Sequence, residues 1–332
     1  MALPIATLLS LLPLITPTVA WGTLGHDTVA FIAQSFLSNK TASFAKTLLN
    51  DSSDAYLANV ATWADSYRYT TEGAFSAPLH YIDALDDPPT SCDVDFERDC
   101  PEEGCIVSAI ANYTSRITPS NISVAERQKA LKWVIHFLGD IHQPLHVENL
   151  EIGGNGINVT FDGVATNLHH IWDSNMPEKL IGGYSLEDAR TWSGELVAEI
   201  QSGKYANASS TWLNGMDRND PVASAMVWAQ DANSYVCTTV VPQGQGAVEG
   251  KELEGEYYDA AIPVIQQQIA KAGVRLAAWL NLIVEGKTSP GGYETSGHFE
   301  KRGEAKLEDW MVEARRVRRA FGYNCGAEGH KH

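Results

Sequence analysis

The chain is poor in positive charge. Its 332 residues carry 24 Lys and Arg against 41 Asp and Glu, a formal net charge of −17 at pH 7. That balance excludes a protein that grips nucleic acid through a broad basic surface. An anionic substrate must instead be attracted locally, and clustered divalent cations are one means of doing so. Strand signal is scarce too. Only Asn158-Val159-Thr160-Phe161, followed by Asp162-Gly163, reads as a short hairpin. There is no internal repeat, and beyond the first 20 residues no stretch is apolar enough to cross a bilayer. Cysteine is sparse: Cys92, Cys100, Cys105, Cys237 and Cys325. Apolar residues nevertheless make up 44% of the chain, ample for a core, which excludes global disorder.

Residues 1–20 form an apolar run ending in Thr18-Val19-Ala20 and read as a secretory signal peptide cleaved after Ala20. A basic first region is missing, so the α-amino group is its only positive charge. As a membrane anchor the run is short of the roughly 20 residues required, and Pro13 and Pro17 break it. Six Asn-X-Ser/Thr sequons, at Asn39, Asn50, Asn112, Asn121, Asn158 and Asn207, agree with the secretory route and are the expected glycosylation sites. In an oxidising compartment the cysteines read as disulfides rather than zinc thiolates. Cys100 and Cys105 could close a small loop, leaving Cys92 to meet Cys237; Cys325 is odd.

Helical patterning dominates the rest. Residues 26–37 and 55–68 repeat apolar positions at helical spacing. Ser123-Val124-Ala125-Glu126 has the form of a capping box and starts a helix that Pro144 should end or bend. Ser185 is placed to cap a helix over 186–202, and a long helix around 259–285 closes the body. Residues 84–106, rich in Asp, Pro and Cys, read as a disulfide-braced loop. After Lys287-Thr288-Ser289-Pro290 the composition shifts to charge and glycine, so 291–332 reads as a C-terminal extension carrying a dibasic pair, Lys301-Arg302, that a processing protease could cut.

The chemistry lies in histidines and aspartates. His136 and Asp140 stand four apart in an otherwise apolar helical run and so share a face one turn apart. A buried carboxylate is costly without a compensating cation, and imidazole and carboxylate are both good zinc ligands. His169 and Asp173 repeat the spacing, and His146 lies beyond the Pro144 break, free to face a different metal. Asp65 in Trp63-Ala64-Asp65 and His80 in His80-Tyr81-Ile82-Asp83 add two donors. Cleavage after Ala20 would expose Trp21, whose amine and carbonyl can chelate a metal, with His26 five residues on. Singly, each of these is more often a hydrogen-bonded core residue. Together they would require many unrelated buried polar residues at matched spacings. His142 and His170 face about 100–200° away from their ligand neighbours on an ideal helix and are left out.

Trp21 with Gly25-His26, Trp63-Ala64-Asp65, His80-Tyr81-Ile82-Asp83, the run His136 to His146, Gly153-Gly154-Asn155 and His169-His170-Ile171-Trp172-Asp173 resemble the secreted, zinc-dependent single-strand nuclease and 3′-nucleotidase family of fungi and plants. The resemblance covers residues 21–290 and sets the expected domain boundaries: signal peptide 1–20, catalytic domain 21–290, extension 291–332. It implies a mostly α single domain, related in fold to bacterial zinc phospholipase C, with a short β-hairpin and bridges Cys92–Cys237 and Cys100–Cys105. It implies three zinc ions. Asp65, His80, His136 and Asp140 would hold one; Trp21, His26 and Asp140 a second, with Asp140 bridging; His146, His169 and Asp173 the third. Arg68 would lie beside the scissile phosphate, Tyr81 (often Phe in the family) and Asp83 would read a base, and Asn155 would lie near the substrate.

The implied reaction is hydrolysis of single-stranded DNA and RNA to 5′-phosphorylated products, and of 3′-nucleotides, by a secreted monomer without membrane attachment. A close zinc pair lowers the pKa of a bridging water from 15.7 toward about 7. The expectation is in-line attack by that hydroxide, with Asp65 orienting it and Arg68 neutralising developing charge. The competing expectations are a zinc phospholipase C-like phosphodiesterase or phosphomonoesterase, and a secreted zinc-binding protein without catalysis. Structural zinc sites normally use four protein ligands; the third implied set has three, which leaves a place for water or substrate.

Overall fold

The computed structural model describes residues 21–288. The proposed signal peptide, the extension from 291 and Cys325 lie outside the described residues. Helices α1 (Thr23–Phe36) and α2 (Asn39–Leu49) are followed by two short ones, α3 (Ala58–Ala61) and α4 (Trp63–Tyr67). Next come α5 (Phe96–Asp99), α6 (Ile106–Arg116) and α7 (Val124–Asp140). Strands β1 (Asn158–Phe161) and β2 (Val164–Asn167) form the antiparallel hairpin, Val159 facing Thr166. Helices α8 (Leu168–His170), α9 (Met176–Ile181), α10 (Leu186–Gln201), α11 (Pro221–Tyr235) and α12 (Glu256–Glu285) complete the order. The mostly helical architecture, the hairpin and both disulfides, Cys92–Cys237 and Cys100–Cys105, agree with the sequence reading.

The core is organised around α1, α7 and α12. Helix α1 is buried on nearly all sides, against α12, α10 and α3. Helix α12 starts earlier than its pattern suggested and runs through Pro263. The buried face behind that proline, from Ile265 to Ile283, outweighs the hydrogen bond lost there. Trp63, Tyr67, Tyr113, Trp133 and Phe137 form a continuous aromatic wall that backs α7.

Several local expectations are corrected. The single helix expected over 55–68 is interrupted at Thr62, whose backbone leaves the helical region at φ −100°, ψ 10°. Ser123 does cap α7, accepting from the Glu126 amide, but Glu126 does not return the bond. Its carboxylate engages Lys129 and Arg116 instead, which completes ion pairs at the surface. A full capping box lies at Ser185 and Asp188 of α10. The loop 84–106 contains α5, capped by Asp95.

A candidate metal centre

Five buried donors meet where α1, α4, α7 and the 3₁₀ turn Ala74–His80 converge. Asp140, the last residue of α7, turns Oδ1 to His26 Nε2 at 3.1 Å and Oδ2 to His80 Nδ1 at 2.9 Å and His136 Nε2 at 3.2 Å. Asp65 Oδ1 lies 3.4 Å from the same His136 nitrogen. His26, Asp65 and His136 form one group that could hold an ion; His80, His136 and Asp140 form another, so the two share His136. All five side chains are buried. A glycine permits the closeness of α1 and α7: a Cβ on Gly139 would stand 2.6 Å from His26 Nδ1.

A third group is separate: His146, His169 and Asp173. Pro144 opens a 3₁₀ turn, Pro144–Val147, that carries His146 away from the axis of α7. Asp173 lies on a π turn, Ile171–Asn175, between α8 and α9. His169 Nε2 faces His146 Nε2 at 3.0 Å and Asp173 Oδ2 at 3.1 Å.

The outward nitrogens fix the tautomers. His136 Nδ1 donates to the Ala61 carbonyl at 2.6 Å, and His146 Nδ1 donates to the His80 carbonyl at 2.9 Å. His169 Nδ1 donates to the Gly153 carbonyl. Ala61 ends α3, where the last carbonyls lack an intrahelical donor, so the break at Thr62 supplies His136 with its acceptor. Gly153 and Gly154, at φ 58° and 79°, make the left-handed turn that presents the carbonyl to His169. With these three Nδ1 atoms committed, the Nε2 atoms of His136, His146 and His169 point inward, as in metal-binding histidines held by a carbonyl behind the ring; His80 instead turns Nδ1 inward.

The donor set fits a cation. Two imidazole nitrogens pointing at each other 3.0 Å apart beside a carboxylate are satisfied by a shared positive charge. The buried Asp173 Oδ2 accepts no hydrogen bond, a costly state without such a charge. In the five-donor cluster, burial works against a charged His136, yet Asp140 and Asp65 overcome it and push the ring up to about 10. Asp140 is held well below the ordinary carboxylate range, its burial outweighed by His136, His26 and His80. His80, by contrast, is lowered to about 4 by burial. Nitrogen and oxygen donors without thiolate suit zinc among the divalent metals.

The remaining predicted site residues fall at different distances from this centre. Trp21 is fully buried beside Gly25, and the Gly22 N–H donates to the Asp173 carbonyl at 2.7 Å. Arg68 is buried; its Nη2 donates to the Tyr69 hydroxyl at 3.0 Å, and Tyr69, Asp65 and Asp140 together raise its pKa against burial. Tyr81 is half-buried within the fields of Asp83 and Arg68, and burial pushes its hydroxyl up to about 12. Asn155 Nδ2 donates to the Ile152 carbonyl at 2.8 Å and lies 3.3 Å from His169 Nδ1. His142 turns away to Arg275 at 2.9 Å. Gly139 and Gln143 belong to the site as well, and no role was read for them from the sequence. A glycine inside an apolar helical run was the available signal for Gly139; Gln143 had none.

The family model described as S1/P1 Nuclease matches residues 21–285. The chain is 56% identical to Nuclease S1 of Aspergillus oryzae over 266 residues, 80% of this chain and 92% of that protein. It is 51% identical to Nuclease P1 of Penicillium citrinum over 263 residues, 79% of this chain and 97% of that protein. Endonuclease 2 of Arabidopsis thaliana is 33% identical over 278 residues, 79% of this chain and 90% of that protein. Among the described residues no helix is long and apolar enough to cross a membrane. The matched span contains every His and Asp of the three donor groups, and with that extent of identity the chain belongs to the S1/P1 nuclease family.

Proposed function

We propose that the protein is a secreted, monomeric zinc enzyme that hydrolyses single-stranded DNA and RNA to 5′-phosphorylated products and removes the phosphate of 3′-nucleotides. As a member of its family it is a nuclease, a hydrolase. The observation that supports bound zinc is the inward aim of the buried Nε2 atoms of His136, His146 and His169, fixed by carbonyl acceptors on Nδ1, within three His/Asp groups that could each hold an ion. Asp65, His80, His136 and Asp140 would hold one ion. The Trp21 amine and carbonyl, His26 and Asp140 would hold a second, and His146, His169 and Asp173 the third. Zinc so held supplies Lewis acidity toward phosphoryl oxygens and acidifies water toward a pKa of about 7.

The chain's own residues do the rest. Asp140 offers its two oxygens to different imidazoles, which is what bridging requires. Asp65 orients the attacking water. Arg68, kept charged by its acidic neighbours, neutralises the transition-state phosphoryl oxygens. Tyr81 stacks on a base while Asp83 accepts from its edge, and only an unpaired base offers both surfaces. Asn155 contacts substrate from the Gly153-Gly154 turn. The six exposed sequon asparagines are the proposed glycan sites, and removal of residues 1–20 precedes activity.

The experiment is metal analysis and single-stranded DNA hydrolysis on the secreted, N-terminally sequenced protein, before and after chelation. About three zincs, a Trp21 start, and activity lost to chelator and restored by zinc support the reading. Zinc without nucleolysis moves it to another phosphoester, and absence of zinc refutes it.

A further inference from the structure

Gln143 is wholly buried in the turn between α7 and His146. Its Nε2 donates to Asp173 Oδ1 at 2.6 Å, and its Oε1 accepts from the Leu145 amide at 2.6 Å. One side chain thus ties the His146 turn to the π turn that carries Asp173. Its backbone is pinned from behind, since Gln268 of α12 donates to the preceding His142 carbonyl at 2.9 Å. The other Asp173 oxygen, Oδ2, faces His169 Nε2 and takes no hydrogen bond.

The geometry points to Gln143 as the positioning residue of the third donor group: it occupies Asp173 Oδ1 so that Oδ2 alone is offered to the ion, and it sets the spacing between His146 and Asp173. A carboxylate with both oxygens unengaged can rotate and bind through either or both. The amide removes that freedom before an ion arrives, the role that hydrogen-bond partners of metal ligands play generally. A glutamine does this where a lysine would not, because the same planar group donates forward and accepts from Leu145 behind. This inference rests on the proposed assignment of zinc to His146, His169 and Asp173.

The test is zinc retention across a chelator titration at neutral pH for the full-length secreted enzyme and two variants. Gln143→Glu keeps the acceptor for Leu145 and removes the donor to Asp173; Gln143→Met keeps the length and removes both. The expected result is loss of one zinc equivalent at roughly 10–100-fold lower chelator, with the other two retained as in the parent. Loss of all zinc together, with a fallen melting temperature, would mark a merely structural role and overturn the inference. So would Gln143→Glu retaining its full zinc complement at the parent's chelator concentration. A parent enzyme with no third zinc would overturn both this inference and the reading beneath it, which separates the two failures.

Discussion

The imidazole of His26 lies on that of His136, ring centroids 4.0 Å apart and planes inclined by 13°. The two rings come from different helices, α1 and α7, and Gly139 is what lets them stack. Replacing glycine by alanine inside a helix ordinarily stabilises it by roughly 0.5–1 kcal/mol. Here the added Cβ would meet the His26 ring at 2.6 Å. The sign therefore reverses: Gly139→Ala should destabilise by about 1–3 kcal/mol, the usual cost of overpacking. Thermal denaturation in excess zinc, with metal analysis, checks it; a higher melting temperature would contradict the packing argument.

Asp140→Asn keeps the shape of the residue that three histidines face and removes its charge. Partners of metal ligands typically matter by about 10–100-fold, and a shared ligand should exceed that. Activity on single-stranded DNA should fall by more than about 100-fold, with zinc content reduced. Full zinc and full rate in this variant would remove the bridging assignment.

A chain that keeps even Ala20 has an amide where the proposed Trp21 amine would bind. The free α-amino group has a reference pKa near 7.7–8.0 and binds metal only when deprotonated. Trp21 is buried and Gly22 is anchored to Asp173, so the extra residue has no simple route to swing aside. Such a chain should bind about one zinc fewer and lose most of its activity. An N-terminally extended preparation as active as the mature one would refute the chelate.

Tyr81→Ala tests base stacking. Stacking contributes about 1–3 kcal/mol per base, so KM for single-stranded substrate should rise roughly 5–150-fold with little change in zinc content. An unchanged KM would return Tyr81 to ordinary packing.

Glu178 on α9 carries a carboxyl that burial pushes up to about 7. Its folded pKa is raised, so its neutral form is the one the fold favours. Its contribution is therefore fully present below the ordinary value of 4.5 and is lost as pH rises through about 7. Glu178→Gln should melt like the parent near pH 4.5 and above it at pH 8. Parallel melting curves at both pH values would show that the burial is not felt.

What the sequence reveals of this protein depends on the range of the interaction. His136 with Asp140 and His169 with Asp173 are four-residue spacings, and local periodicity is written in order along the chain. Ser185 and Pro144 are legible for the same reason. The break at Thr62 is not, because the acceptor it frees, the Ala61 carbonyl, serves His136, 75 residues later in the chain. Gln143 is hidden likewise: its partner Asp173 is 30 residues away, and a glutamine has many solvent-facing uses. The pattern places the start of α12 near 259 because the first turn of the helix is half-exposed and mixed in character. The family motifs are the source of the proposed grouping of donors, since spacing alone does not say which helices will converge.

The π turn at Ile171–Asn175 stores an asymmetry between folding and function. Its hydrogen bonds run from i to i+5, so it holds an additional residue relative to a regular helix. Deleting one residue there would let α8 and α9 merge into continuous α-helix. A deletion between His169 and Asp173 would turn Asp173 by roughly 100° about the axis relative to His169, taking its Oδ2 away from the nitrogen it now faces.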